Sequence, residues 1–336
     1  MHSAQSMPTA YPHLLANSVG RRFDLLAFGD PVLDIVLDAA VMPAPGGKVV
    51  GRLRGAWGGG TTANAACAAA RLGLASGIFG GVGDDVHASV LHQSLAHFGV
   101  DRSCLISVQG VPSALAITML MPGGEKSIIY LPMPAMPTDG IRLDAALSAA
   151  RIVYAMPYDL DELTQLSKLA RSHGTLVAID LEPAVAPDPQ AMRARAALAD
   201  IVFFNEAGFV AGTSAAPGDA AMRSVLELGP ALVAVTCGAA GAMAIGRSAA
   251  AIEYATQAAY PVEVVDTTGA GDTFNAAFLS AMLRGLDLAA ALQFGCAAAS
   301  CTVAAMGART GLPDRAQVER IVQQAQSGEY MKANPR

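Results

Sequence analysis

Residues 264–279 read VVDTTGAGDTFNAAFL and hold the densest chemistry in the chain. A strand is expected to end at Val265, after which Gly269, Ala270 and Gly271 lead directly into a helix opened by Asp272 and Thr273. Three small residues there let backbone N–H groups at the helix start converge on an anion, where the helix dipole adds positive potential. A carboxylate held beside that anion, Asp272, can take the proton of a hydroxyl that attacks it. Together these features make a phosphoryl-transfer centre. A G-x-G-D in isolation is equally well a tight turn followed by an aspartate cap.

A centre of this kind needs strands that end beside it. From Phe23 the chain runs FDLLAFGD, then GGGTTANAACAAARLG, then SGIFGGVG, which reads as strand, glycine loop, Ala-rich helix and strand. A second series begins at Arg151, with RIVYAM, TLVAID and DIVFFN separated by polar helical stretches. Strands alternating with helices imply a mostly parallel sheet with helices on both faces. After Leu232 the runs ALVAVTCG, GAMAIG and AIEYATQ are separated only by short turns, so that part of the sheet is expected to be antiparallel. Two long helices, from about Gly271 and Leu288, close the domain. Residues 35–57 and 105–131, the latter with the turn MPGGEK, break the alternation and look like paired strands without a helix between them. Flanking the first unit, they come together as a small sheet over its strand ends, a lid; the plainer alternative is two edge hairpins. The fold class is α/β, a three-layer αβα domain over residues 21–330 with a mostly parallel central sheet and a small β-sheet lid, preceded by a loose leader over residues 1–20.

Composition agrees with burial on several sides. Of 336 residues, 53% are hydrophobic and 15% charged, which excludes a disordered or fibrous chain. The 22 Lys and Arg against 28 Asp and Glu give a net charge of −6, and no basic run exceeds Arg21-Arg22, so nucleic acid is not an expected partner. The five cysteines are odd in number and form no C-x-x-C pair; they read as free thiols in a reducing compartment, the cytoplasm. Residues 288–308 are uncharged and long enough to span a membrane, but Ala, Cys, Ser and Gly with Gln293 insert weakly, so a buried core helix is expected there and no membrane partner.

DTTGAGDTFNAAFL closely resembles the C-terminal signature of the PfkB, or ribokinase-like, family of sugar and nucleoside kinases. GDPVLDIV, WGGGTTANAACAAARLG, the asparagine of FFNEA, VTCGAAG and SCTVAAMGARTGLP follow in family order, covering roughly residues 23–318. The resemblance implies a ribokinase-like fold, ATP and Mg²⁺ as cofactors, and Asp272 as catalytic base over an anion hole of Gly269, Ala270 and Gly271. It assigns Asp30, Asp34, Gly59 and Asn64 to the phosphoryl acceptor, and carboxylates at the carboxyl end of a buried strand can hold vicinal hydroxyls. Thr236, Gly238 and Gly241 resemble the loop that takes the ATP phosphates and ribose, and Ala299 begins the segment that lines the adenine pocket. Asp266 and Thr268 match a monovalent cation site, so K⁺ activation is expected. A homodimer through the lid is the expected assembly.

The departures carry information as well. Where the family commonly shows N-x-x-E, this chain has Asn205 followed by Glu206, Ala207 and Gly208, so the Mg²⁺-orienting glutamate is missing. Glu182 in DLEP stands at a strand end where the ribokinase subgroup tends to have Asn; either it supplies the displaced carboxylate or metal affinity is low. GGGTTAN lacks the lysine of the ribokinase GGKGAN, and GDPVLDI is similar to nucleoside kinases, whose acceptor base is often covered by aromatic residues; this lid offers Trp57 and Tyr130. The function expected is an ATP-dependent transfer of the γ-phosphoryl group to a hydroxymethyl group of a sugar or sugar-like acceptor. A nucleoside kinase is the alternative within enzymes, and a catalytically weak binding protein on the same fold is the alternative outside them.

Overall fold

The apolar runs do become strands in the computed structural model, which describes residues 20–122, 126–134, 139–248 and 251–328. The leader, apart from Gly20, residues 329–330 and the turn residues 123–125 lie outside the described residues. One sheet holds β1 (Phe23–Phe28), β4 (Ser76–Gly83), β5 (Asp101–Val108), β8 (Ala150–Ala155), β9 (Leu176–Leu181), β10 (Ile201–Asn205), β11 (Leu232–Thr236), β12 (Ala242–Arg247) and β13 (Ile252–Gln257). Its order is β13-β12-β11-β10-β9-β8-β1-β4-β5; only β12 and β13 run antiparallel to their neighbours, as the short turns around them require.

Alternation along the central strands sorts side chains into two cores. Ile201 and Phe203 of β10 join one cluster while Val202 and Phe204 join the other. The first packs under α1 (Thr61–Arg71), α2 (Val86–His97), α8 (Ala270–Leu283), α9 (Leu288–Val303) and α10 (Arg315–Gln326). The second packs under α3 (Gly140–Ser148), α4 (Leu160–Ser172), α5 (Pro189–Ala196), α6 (Glu206–Thr213) and α7 (Asp219–Leu226). This is the three-layer arrangement. α1 is buried from Thr62 to Ala69, and its small side chains let it lie directly against α8. The uncharged 288–308 stretch is α9 and its following turn, packed on α8, β12 and β13; among the described residues no helix is long and apolar enough to cross a membrane. The five cysteines form no disulfide.

The lid is a separate sheet of β2 (Val32–Ala39), β3 (Gly51–Gly59), β6 (Leu115–Leu120) and β7 (Lys126–Leu131) in the order β3-β2-β6-β7. The parallel pairing of β2 with β6 joins the two segments that the sequence separates. The 105–131 stretch is therefore divided: Leu105 to Val108 complete β5, a parallel edge strand beside β4, and only residues 115–131 enter the lid. Following α2, residues 101–108 continue a strand-helix-strand crossover, and that places them in the main sheet. Register gives the lid two unlike faces. Asp34 pairs with Trp57 and Ala116, Asp38 with Arg52 and Leu120, and Leu120 with Lys126 on one; Ile35, Ile117 and Ile129, with Leu37 and Leu53, form a row on the other.

The approach to α8 also differs from expectation. No strand ends at Val265. Beyond β13 the chain is irregular, and the Val265 and Asp266 N–H groups donate to the Val303 carbonyl at 2.8 and 3.2 Å. Val303 ends α9, so its carbonyl has no partner within that helix, and the incoming loop supplies one.

Candidate active site

The loop that leads into α8, residues 264–268, lines one wall of a cleft of about 1730 Å³ between the lid and the main domain. Asp34, Val36, Asp38, Thr118, Leu120 and Lys126 line its lid side, and residues 264–268 and 306–310 line the other. Gly269 caps α8 at φ 77°, and a Cβ there would lie 2.7 Å from the Ala308 carbonyl oxygen, so glycine is required by both conformation and space. At Gly271 a Cβ would meet nothing within 4 Å: the space above it is open. The Ala270 N–H is turned toward the Thr267 carbonyl at 3.3 Å. Among the described residues the Gly271 and Asp272 N–H groups have no protein acceptor, which leaves them as the donors for an anion.

Asp272 stands in the first turn of α8. Its Oδ2 accepts from Asn64 Nδ2 at 2.8 Å, which joins the starts of α1 and α8. Burial pushes its carboxyl up to about 7, with the charges of Glu182 and Asp34 adding to the rise while the Asn64 bond and the Arg309 guanidinium oppose it. Asn64 gives its other end to Arg309, whose Nε donates to Oδ1 at 2.8 Å. The remaining arms of the same guanidinium donate to Ser94 Oγ and to the Gly59 carbonyl, both at 2.8 Å. Asn64 is thus neither a simple local cap nor a side chain with free hydrogen-bonding ends.

Among the residues expected at the acceptor, Asp34 is pushed up to about 6 by burial against the lowering influence of Arg309. A Cβ on Gly59 would overlap Asp34 Oδ2, so this glycine makes room for the carboxylate. Asp30 accepts the Gly81 N–H on Oδ1 at 2.7 Å, and burial raises its pKa. Tyr130 of the lid stacks on Tyr158, with ring centroids 6.5 Å apart. Tyr130 is close enough to feel the charge of Asp30, and Tyr158 that of Glu182 and Asp180. Tyr158 was not singled out by the sequence; its partner Tyr130 was.

Burial raises the Glu182 carboxyl just past β9. Asn205 Oδ1 accepts the Gly208 N–H at 2.7 Å and so serves as the N-cap of α6. A Cβ on Gly208 would overlap the Leu181 carbonyl oxygen and lie 3.0 Å from the Glu182 Cα. No side chain fits at 208 while α6 is seated this closely, and the nearest backbone from which a carboxylate leaves is that of Glu182. The nucleotide candidates cluster elsewhere. Thr236 ends β11, Gly238 opens a 3₁₀ turn at φ 53°, and Gly241 has φ 98° with its backbone pressed on residues 257–259. Ala299 is on α9, which also brings Cys296 Sγ to 4.0 Å from the Gln257 carbonyl. Asp266 is a loop staple: Oδ1 accepts the Thr268 N–H and hydroxyl at 3.0 and 2.7 Å, and Oδ2 accepts the Gly307 N–H at 2.9 Å.

Two buried features escaped the sequence reading. Arg309 is one; its only advance signal is that it is the sole charge among residues 288–313. The other is Asp180, whose Oδ2 accepts from Tyr154 Oη at 3.1 Å and from Asn275 Nδ2 at 3.0 Å below Asp272. Asp180, Tyr154 and Asn275 sit inside apolar strand and helix patterns, where nothing distinguishes them from packing positions.

An open helix N-terminus beside a buried carboxylate, at the edge of a layered α/β domain with a β-sheet lid, suits a phosphotransferase that uses an alcohol as acceptor. The pfkB family of carbohydrate kinases matches residues 44–315, and the chain belongs to that family of ATP-dependent sugar kinases. It is 30% identical over 308 residues to a ribokinase of Bacillus subtilis, covering 89% of this chain and 99% of the relative. It is 29% identical over 306 residues to a nucleoside kinase of Methanothermobacter thermautotrophicus, covering 90% and 96%. The structure of Arabidopsis thaliana ribokinase with ribose and ATP aligns with a TM-score of 0.79 at 27% identity, over 90% of this chain and 99% of that one.

Proposed function

We propose that this enzyme transfers the γ-phosphoryl group of ATP to a hydroxymethyl group of a sugar or sugar-like acceptor, with Asp272 as base. One observation carries the reading: the Asp272 carboxylate is held by Asn64 in the same helix turn that offers the unpartnered Gly271 and Asp272 N–H groups. The acceptor O–H gives its proton to Asp272, its oxygen bonds to the γ-phosphorus, and the bond from that phosphorus to the β,γ-bridging oxygen breaks to release ADP. Negative charge that develops on the phosphoryl oxygens falls at the α8 N-terminus. Asp30 and Asp34 hold acceptor hydroxyls; Thr236, Gly238, Gly241 and Ala299 bind the nucleotide. Lid strands over the cleft keep water from competing with the acceptor.

Among the described residues no three His, Cys, Asp or Glu side chains converge on one point. A lone carboxylate, Glu182, suits Mg²⁺, which keeps several waters and is held by one or two carboxylates with substrate phosphates. Glu182 would hold it, with Asn205 beyond, and the ion would supply charge neutralisation at the phosphates. A monovalent cation, K⁺, fits the loop at Asp266 and Thr268, whose carboxyl is held below its usual range by the Thr268 and Gly307 hydrogen bonds despite partial burial. The Tyr130–Tyr158 pair favours a second reading, a nucleoside acceptor whose base those rings would cover. The lid's apolar face supports a homodimer, and the cytoplasm is the compartment we assign.

The test is an ADP-release screen with ATP, Mg²⁺ and K⁺ against pentoses, hexoses, keto-deoxy acids and nucleosides. One class of acceptor is expected to turn over. With that acceptor, Asp272→Asn should lower kcat by about 100- to 10,000-fold while ATP binding is kept. A kcat within a few-fold of wild type in the variant removes Asp272 from the role.

A further inference from the structure

We propose that Arg309 is a positioning residue of the phosphoryl-transfer centre: one buried guanidinium fixes the Asn64 amide against Asp272 and locks it to the junction between lid and main domain. The inference rests on the reading of Asp272 as the base. Arg309 is 7% exposed and lies in the segment after α9, yet its three hydrogen bonds reach three other elements. They end on Asn64 of α1, Ser94 of α2 and the carbonyl of Gly59, the last residue of lid strand β3. Among the described residues Arg309 forms no ion pair within 4.0 Å. A buried charge with no carboxylate at ion-pair distance is costly, and a side chain kept only for packing would not need one.

The chemistry of the amide explains what the charge does. A guanidinium only donates, so the Asn64 atom it touches must be the carbonyl oxygen, and the NH₂ end is then forced toward Asp272. Without Arg309 the amide can turn over and set its oxygen against the carboxylate. The same side chain reads the lid. A Cβ on Gly58 would lie 3.0 Å from Arg309 Nη1 and 2.6 Å from Ser94 Oγ, so the junction backbone rests directly on the guanidinium. The end of the lid strand and the aim of the base are set by one group.

The groups facing Asp272 are Asn64 and Arg309, which lower its pKa, and Glu182 and Asp34, which raise it. Asp180 and Tyr154 lie beneath and are coupled to it by charge. Loss of Arg309 removes one lowering influence directly and loosens the other.

The experiment needs no acceptor. Full-length protein labelled with carboxyl-¹³C aspartate is titrated by NMR, with the Asp272 signal identified by its loss in Asp272→Asn, and binding of a non-hydrolysable ATP analogue reports the fold. In Arg309→Met the Asp272 midpoint should rise by about one pH unit or more, while the analogue binds within about threefold of wild type. In Arg309→Lys, which keeps the charge but cannot span three acceptors, the midpoint should move less, and kcat on the acceptor found by the screen should still fall about tenfold with the ATP KM unchanged. A folded Arg309→Met whose Asp272 titrates as in wild type overturns the inference. If that variant does not fold, wild-type kcat and midpoint in Arg309→Lys overturn it instead. Failure of the base assignment is a separate result, since it is read from turnover in Asp272→Asn and leaves the titration of the Arg309 variants intact.

Discussion

A carboxylate that must accept a proton and later release it works best where its two forms are close in free energy, and an Asp272 carboxyl pushed up to about 7 meets that condition. The swap between Gly208 and Glu182 is a second case in which one atom's place decides a residue's use. A Cβ at 208 would lie 2.2 Å from the Leu181 carbonyl oxygen, so in our proposal the carboxylate toward the metal leaves from the neighbouring strand end, at Glu182. Glu182→Gln should therefore raise the Mg²⁺ concentration for half-maximal turnover by about tenfold while leaving the acceptor KM alone. Gly208→Glu is not expected to restore it, because the new side chain has no room, and should lower the Tm. Unchanged Mg²⁺ dependence in Glu182→Gln would mean that Glu182 does not face the ion. At this scale the sequence was legible wherever chemistry is local. Asp272, Gly269 and Gly271 lie within four positions and announce themselves. Arg309 does not, since its partners are 215, 245 and 250 positions away and only the fold brings them together.

Among elements, the triad of Tyr154 on β8, Asp180 on β9 and Asn275 on α8 ties the sheet to the helix of the candidate base. Asn275 Nδ2 donates to Tyr154 Oη at 2.9 Å as well as to Asp180, so both partners point into one carboxyl oxygen. Burial, with the charges of Glu182 and Asp272, pushes Asp180 up to about 8. Its folded pKa lies above the unfolded value, so the native state holds a proton that the unfolded chain releases. Stability from this group is present at low pH and is lost as pH rises from about 4 toward 8, at up to about 1.4 kcal/mol per unit. Asp180→Asn keeps an acceptor for both donors and carries no charge. Its Tm relative to wild type should climb steadily between pH 5 and pH 8, by at least about 3 °C. A difference that stays flat with pH would show that Asp180 does not titrate there. Alternation of apolar runs and helices foretold the parallel order, but not the loop that replaces the strand expected at Val265. That segment looks like a strand by composition; beyond the edge strand β13 it is held by the carbonyl of a helix end instead.

The described residues form a three-layer αβα sandwich carrying a small sheet whose charged side chains lie on one face and whose other face is apolar. The polar face, with Asp34, Asp38 and Lys126, looks into the cleft. Among the described residues the apolar face is covered toward its root, where Leu33 is buried and Ile35 and Leu115 pack on the main core. Leu53 on β3 and Ile129 and Leu131 on β7 are 63, 48 and 44% exposed, at the two edges of the apolar row that Leu37, Ile35 and Ile117 continue between them. A row of this kind left in water favours association, and a second copy of the chain offers the same apolar row in return. The expected particle in light scattering is thus twice 34.2 kDa. Ile129→Glu would place an unpaired charge in the middle of that contact, where its desolvation outweighs what the isoleucine contributed, so the variant should run as a monomer with an unchanged far-UV spectrum. Because the strands that meet the partner also carry Asp34, the monomer should show a raised acceptor KM and a nearly unchanged ATP KM. A wild-type chain that is monomeric at micromolar concentration, or a variant that remains a dimer, would mean that this face is closed in some other way.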